Sequence, residues 1–206
     1  MKRVRRRAAL VVALVGLGLV TQGLYIPAKA WVAQQLLEHA WEQRVRSGGP
    51  VRPWPWADLA PLARLRQPRL GIAQIVLDDA SARTLAFGPG HVRGSAAPGT
   101  HGNVAISAHR DTHFRWLADL RDGDSVLLET DRGTLHRYVV VRRAVHHESE
   151  VALLDPLGGD RLQLLTCYPF DALVPGTPWR YVVTAVPFGP EVGTGATGDR
   201  VPRAAS

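Results

Sequence analysis

The chain has 206 residues, enough for one ordinary domain with short additions and too few for two full enzymes. Apolar residues make up 46% and charged residues 21%, a globular balance that excludes wholesale disorder and collagen-like repeats. The net charge is +7, but Lys2, Arg3, Arg5, Arg6 and Arg7 supply five of the positives, so the remainder carries only +2 and net charge gives no support for a nucleic-acid face on the main domain.

Behind that basic tip, Ala8 to Ala28 runs 21 residues without a charge. At about 1.5 Å per residue a helix here spans roughly 31 Å, close to the thickness of a bilayer core. The segment 1–29 therefore reads as a cytoplasmic tip and a single-pass transmembrane helix. The arginines stay inside, and the rest is delivered to the far side of the inner membrane, the periplasm. The competing reading is a cleaved signal peptide, with Ala8–Val20 as its apolar region and Ala28-Lys29-Ala30 as the cleavage site. Both export the domain.

Residues 30–59 read as an amphipathic helix and a linker. Val32, Ala33, Leu36, Leu37, Ala40 and Trp41 share one helical stripe, and Gln34, Gln35, Glu38 and Glu42 fill the other side. Such a helix packs on the domain, or lies at a membrane surface with Trp31 and Trp41 at headgroup depth. Ser47-Gly48-Gly49-Pro50 ends it, and Pro53-Trp54-Pro55-Trp56 follows as a wrapping segment whose tryptophans read as packing anchors.

From about residue 60 to 187 the pattern is short apolar runs between turn signals. The strand candidates are Leu70–Leu77, Val104–Ala108, Ser125–Glu129, Leu135–Arg142, Arg161–Thr166 and Arg180–Val186. Asp131-Arg132-Gly133 marks a hairpin, and Phe87-Gly88-Pro89-Gly90 and Pro98-Gly99-Thr100-His101-Gly102-Asn103 mark turns. Asp79–Leu85 and Phe114–Leu120 read as short helices. This spacing predicts a mainly β fold, a barrel or a sandwich. Residues 188–206 are rich in Gly and Pro without apolar period, and are expected to form a flexible tail.

Cys167 is the only thiol. In an exported protein it is either a buried small hydrophobe or a reactive group. Its setting, Leu164-Leu165-Thr166-Cys167-Tyr168-Pro169, places it where an apolar strand meets a turn, a position where sites commonly form. A cysteine nucleophile needs a proton-transfer partner and an oxyanion donor. His109 also closes an apolar run, Val104-Ala105-Ile106-Ser107-Ala108. His146 and His147 read as surface residues, and His91 and His101 lie in turns. His109 and His113, four apart, form a weak metal signal with no third ligand in view. Arg180 opens the last strand, either as a solvated strand-end charge or as a planar donor aimed at an oxyanion.

Taken together, His109, Thr166-Cys167 and Arg180, with Gly88-Pro89-Gly90-His91, Pro98-Gly99, Gly102-Asn103-Val104, His109-Arg110-Asp111-Thr112 and Thr166-Cys167-Tyr168-Pro169-Phe170, resemble the sortases, membrane-anchored cysteine transpeptidases. The resemblance covers roughly residues 60–187. Ile26-Pro27-Ala28-Lys29-Ala30 and Pro53-Trp54-Pro55-Trp56-Ala57-Asp58 are similar to the Gram-negative, proteobacterial branch (class GN). One departure is Gln163, which stands where the family's Thr-Leu-x-Thr-Cys signature begins.

The resemblance implies an eight-stranded β-barrel with a few short helices. It implies cleavage of a C-terminal sorting signal on an exported protein through a thioester on Cys167, and transfer to an amine. Arg180 would hold substrate and oxyanion, and His109 would shuttle the proton as part of a thiolate–imidazolium pair. Thr166, beside the nucleophile, is expected at the substrate. No metal or organic cofactor is expected, and no nucleic acid. The alternatives are a periplasmic cysteine peptidase or thioesterase that passes the acyl group to water, and a non-catalytic, membrane-tethered binding barrel.

Overall fold

The computed structural model describes residues 29, 31–172, 176–189 and 192–193. Residues 1–36 and 37–206 form two separate units. The expected membrane span, 8–28, lies outside the described residues, among which no helix is long and apolar enough to cross a membrane.

The helix runs over residues 31–47. Trp31, Val32 and Leu36, in the first unit, are exposed. Leu37, Ala40 and Trp41, in the second, are buried, and Leu37 and Trp41 form a small core with Leu59, Ile75 and Leu77. This part of the helix therefore packs on the domain as its apolar stripe predicts. Arg44 fastens it further: Nη2 meets Asp131 Oδ2 at 2.8 Å and Nη1 donates to the Pro61 carbonyl at 2.9 Å. Of the two linker tryptophans, Trp54 packs on Phe87 at 5.4 Å between ring centroids, whereas Trp56 is exposed.

The strands are β1 Pro61–Gln67, β2 Ile72–Leu77, β3 Gly90–His91, β4 Asn103–Ser107, β5 Ser125–Thr130, β6 Thr134–His147, β7 Arg161–Cys167, β8 Trp179–Pro187 and β9 Val192–Gly193. Their order is β5-β1-β2-β3-β4-β7-β8-β6, and β6 pairs back onto β5. Eight strands thus close into a barrel, as the resemblance implied, with β9 added to the start of β6. Short 3-10 turns at Thr84–Ala86 and Arg115–Asp119 stand where short helices were expected.

Four elements differ from the sequence reading. β1 has no counterpart in it, because Arg64 and Arg66 interrupt the apolar run. In the barrel Ala63, Leu65 and Gln67 point inward, while Arg66 reaches Glu129 of β5 at 2.8 Å. β3 lies in a stretch read as a turn. There Gly90 lets two backbones meet, since a Cβ would fall 2.0 Å from the Asp79 carbonyl oxygen. β6 continues five residues past its predicted end at Arg142, through Arg143, His146 and His147, to pair with β8. In the expected tail, residues 192–193 are paired with β6.

Alternate residues of the central strands fill the barrel: Val104, Ile106 and Ala108 near β4, Leu162 and Leu164 of β7, and Val183 and Ala185 of β8. The residues between them face outward. β6 carries a bulge at Val141, so that Val140 faces the core while Arg142 pairs with the outward Thr184. The bulge thereby aligns His146 with Arg180 on the outer face.

Candidate active site

Parallel pairing brings the site together. β4 and β7 run side by side in the same direction, Ser107 opposite Leu165, so both end at one end of the barrel. The pairing continues one bond further, with the Ala108 amide donating to the Leu165 carbonyl at 3.2 Å. Two residues past Ser107 and Leu165, this register sets His109 level with Cys167. β8 runs antiparallel to β7 and begins where β7 ends, so Arg180 lies directly opposite Cys167. Cys167 and Arg180 alternate with core residues and share the outer face, and His109 directly follows the buried Ala108. Cys167 is a half-buried free thiol, and His109 is exposed.

The guanidinium of Arg180 is held from two sides. Nη1 donates to the carbonyls of Thr177 (2.6 Å) and Trp179 (3.0 Å), and Nη2 donates to Glu148 Oε2 at 2.6 Å. Glu148 follows β6, and its own amide donates to the Pro178 carbonyl at 2.8 Å. Two residues before Glu148, His146 is the register partner of Arg180. Its Nδ1 lies 2.8 Å from Glu150 Oε2, an interaction that holds the Glu150 carboxyl below its usual range. The structure therefore corrects the surface reading of His146 and His147. Both are half-buried strand residues, and the His147 ring sits edge-on to Trp179 at 5.3 Å.

Thr166, expected at the substrate, takes another position. It is only 2% exposed, it faces inward, and its hydroxyl donates to the Ala108 carbonyl at 2.8 Å. It ties the strand end bearing Cys167 to the one bearing His109. Gln163, at the head of the altered signature, is buried on the outer face, and its Oε1 has no partner among the described residues.

Arg110 was not singled out by sequence reasoning as a site residue. It is 5% exposed, and its Nη1 and Nη2 donate to the carbonyls of Pro169 and Ala172, each at 2.8 Å. It therefore clamps the chain that leaves Cys167 to the chain that leaves β4. Its signal was its position next to His109, but an arginine after a histidine looks like any solvated charge until its partners are known. Tyr168, Phe170 and Tyr181 support the same turn, with Phe170 and Tyr181 rings 5.1 Å apart.

His113 is the second half of the weak metal signal. Its imidazole is half-buried and held below its ordinary pKa, first by burial and then by the charge of His109. Among the described residues no group of three His, Cys, Asp or Glu side chains is placed to hold an ion. A cavity of about 180 Å³, lined by His136, Arg137 and Arg161 among others, contains none of the three candidate residues.

A family model described as "Sortase domain" matches residues 65–188, more than half of the chain. The chain belongs to the sortase family. It is 29% identical over 119 residues to Sortase D of Bacillus subtilis (strain 168), a match that covers 58% of this chain and 60% of that protein, under two thirds of its length. Among solved sortases, the sortase E of Streptomyces avermitilis is 31% identical with a TM-score of 0.55, covering 66% of this chain and 93% of that one. Sortase E1 of Streptomyces coelicolor, solved with a tripeptide in its active site, is 25% identical with a TM-score of 0.55, covering 64% and 89%.

Proposed function

We propose that this sortase is a cysteine transpeptidase that cleaves a C-terminal sorting signal of an exported protein and transfers the acyl part to an amine. One observation carries the reading: Cys167 stands between Arg180, its direct cross-strand partner, and the segment that delivers His109 at the same level.

In this reading Cys167 Sγ attacks the scissile carbonyl, forming a C–S bond and an oxyanion that the Arg180 guanidinium stabilises. As the C–N bond breaks, His109 gives its proton to the leaving amine. The thioester is then attacked by a second amine, His109 takes that amine's proton, and the C–S bond breaks to release a new amide. The chemistry requires no metal. The uncharged run 8–28 behind a basic tip supports an anchor in the inner membrane with the domain in the periplasm. The motifs at 26–30 and 53–58 support the Gram-negative branch.

The test uses purified protein, a library of peptides and a panel of primary amines, read by mass spectrometry. Amide products that require both the amine and Cys167 are expected, and Cys167→Ala should be folded and inactive. Free acid as the only product across the panel would overturn transfer, and activity in Cys167→Ala would overturn the nucleophile.

A further inference from the structure

The carboxylate of Glu148 is not a member of the family motifs read from the sequence, yet it meets the one cation opposite the nucleophile. We infer that Glu148 is a positioning residue for Arg180: it fixes the plane of the guanidinium so that the Nε–H edge is presented to an oxyanion formed on Cys167. This rests on the oxyanion role proposed for Arg180.

A guanidinium has five N–H groups in one rigid plane. In Arg180 both Nη1 hydrogens have acceptors, the Thr177 and Trp179 carbonyls, and one Nη2 hydrogen goes to Glu148. Among the described residues Nε makes no hydrogen bond and Nη2 makes one, so Nε–H and one Nη2–H remain as donors. Donors left free on a permanently charged, rigid plane suit the developing negative oxygen of an acyl-transfer intermediate. The carbonyls hold one nitrogen only. Glu148 holds the second and fixes the orientation.

Glu148 is itself held at its backbone. Its amide bonds to Pro178 O at 2.8 Å, and the turn behind it is closed by the His147 amide donating to Glu150 Oε1 at 2.8 Å. Further along the β6–β7 connection, Asn103 Nδ2 donates to Leu153 O at 2.7 Å, tying that connection to β4. The carboxylate is thus delivered by a segment anchored at both ends. The ion pair is also open to water, with side chains 31% and 52% exposed, so it is a poor support for the fold. A carboxylate that is fixed in place and unimportant for stability is suited to an orienting role.

The experiment needs no knowledge of the sorting signal. p-Nitrophenyl acetate acylates a reactive cysteine: the C–S bond forms, an oxyanion develops, the C–O bond breaks and p-nitrophenolate leaves. Iodoacetamide alkylates the same sulfur without an oxyanion. Single-turnover rates with both reagents are measured for wild type, Glu148→Gln, Glu148→Asp, Arg180→Ala and the Glu148→Gln/Arg180→Ala double variant.

The maximal acylation rate of Glu148→Gln should fall by about ten-fold or more, the scale expected when a reacting geometry slips by a fraction of an ångström. The half-saturating ester concentration and the alkylation rate should stay within about two-fold, and Glu148→Asp should recover part of the loss. In the Arg180→Ala background Glu148→Gln should cost nothing further. An equal loss in both backgrounds, a loss shared with iodoacetamide, or a Glu148→Gln rate within two-fold of wild type would each overturn the positioning role while leaving Arg180 in place. A silent Arg180→Ala would remove the oxyanion reading and this inference with it.

Discussion

Removing the Arg110 guanidinium should loosen the active site and the fold together. The side chain is 5% exposed and makes two charge-assisted bonds of 2.8 Å to Pro169 O and Ala172 O. A hydrogen bond to a charged group contributes roughly 1.5–3 kcal/mol when its loss leaves a buried partner unsatisfied. Pro169 and Ala172 are both only half-buried, so water replaces part of each bond, and the expected loss for Arg110→Ala is about 2–4 kcal/mol rather than the full sum. For a domain of this size that corresponds to a fall in Tm of roughly 5–15 °C. Arg110→Lys has one nitrogen to place where two are needed, so it should recover less than half. The functional effect follows from position, because Pro169 lies two residues after Cys167 and Arg110 follows His109. Release of this clamp frees both catalytic segments at once, and a misplacement of about 1 Å costs on the order of a hundred-fold in rate. Urea unfolding gives the stability, and single-turnover acylation of Cys167 gives the rate. Arg110→Ala with stability within about 0.5 kcal/mol of wild type and full acylation would refute the clamp, since that is the range of ordinary surface substitutions.

Thr166→Val keeps the shape and removes the donor to Ala108 O. It should cost about 1 kcal/mol in urea unfolding, and a variant that loses activity at unchanged stability would return Thr166 to the substrate. Trp41→Ala should cost about 3–5 kcal/mol by emptying the core shared with Leu59, Ile75 and Leu77, whereas Trp56→Ala should be near neutral in the same assay. His113 binds its proton less readily in the folded state than its ordinary pKa of about 6.5 dictates, so between those two values the unfolded chain holds more protons. Its contribution to stability is complete above pH ~6.5 and is lost as pH falls below that value. His113→Gln should therefore flatten the decline in the urea midpoint from pH 7 to pH 5, and an unchanged slope would show that another group carries it.

The nucleophile proposed here was legible as a candidate in the sequence because chemistry restricts the choice: one thiol, at the end of an apolar run, offers no competitor. The family motifs added His109 and Arg180 and implied the barrel, whereas runs of apolar residues at strand length pointed only to a mainly β fold, barrel or sandwich. Local pattern could also assign the buried face of the helix around Trp41, since a helical stripe repeats every three or four residues and is visible in the chain itself. Where the apolar period was interrupted by charge, the reading stopped short. β1 was hidden by Arg64 and Arg66, and the end of β6 by the polar residues from Arg143 onward, because the partners that accommodate such residues lie elsewhere in the chain.

What only the tertiary structure decided is which polar groups meet. Glu148 and Arg180 are 32 residues apart in sequence, and Arg110 lies 59 residues from Pro169. Those pairs exist because β4 and β7 run parallel, β8 returns against β7, and β6 crosses its bulge to flank β8. The same pairing turned Thr166 inward and Cys167 outward, since side chains alternate along a strand and the register with neighbouring strands determines which face meets the core. Residue type determined what chemistry this chain has available. Strand register, set by contacts between distant segments, determined which side chains are placed to carry it out.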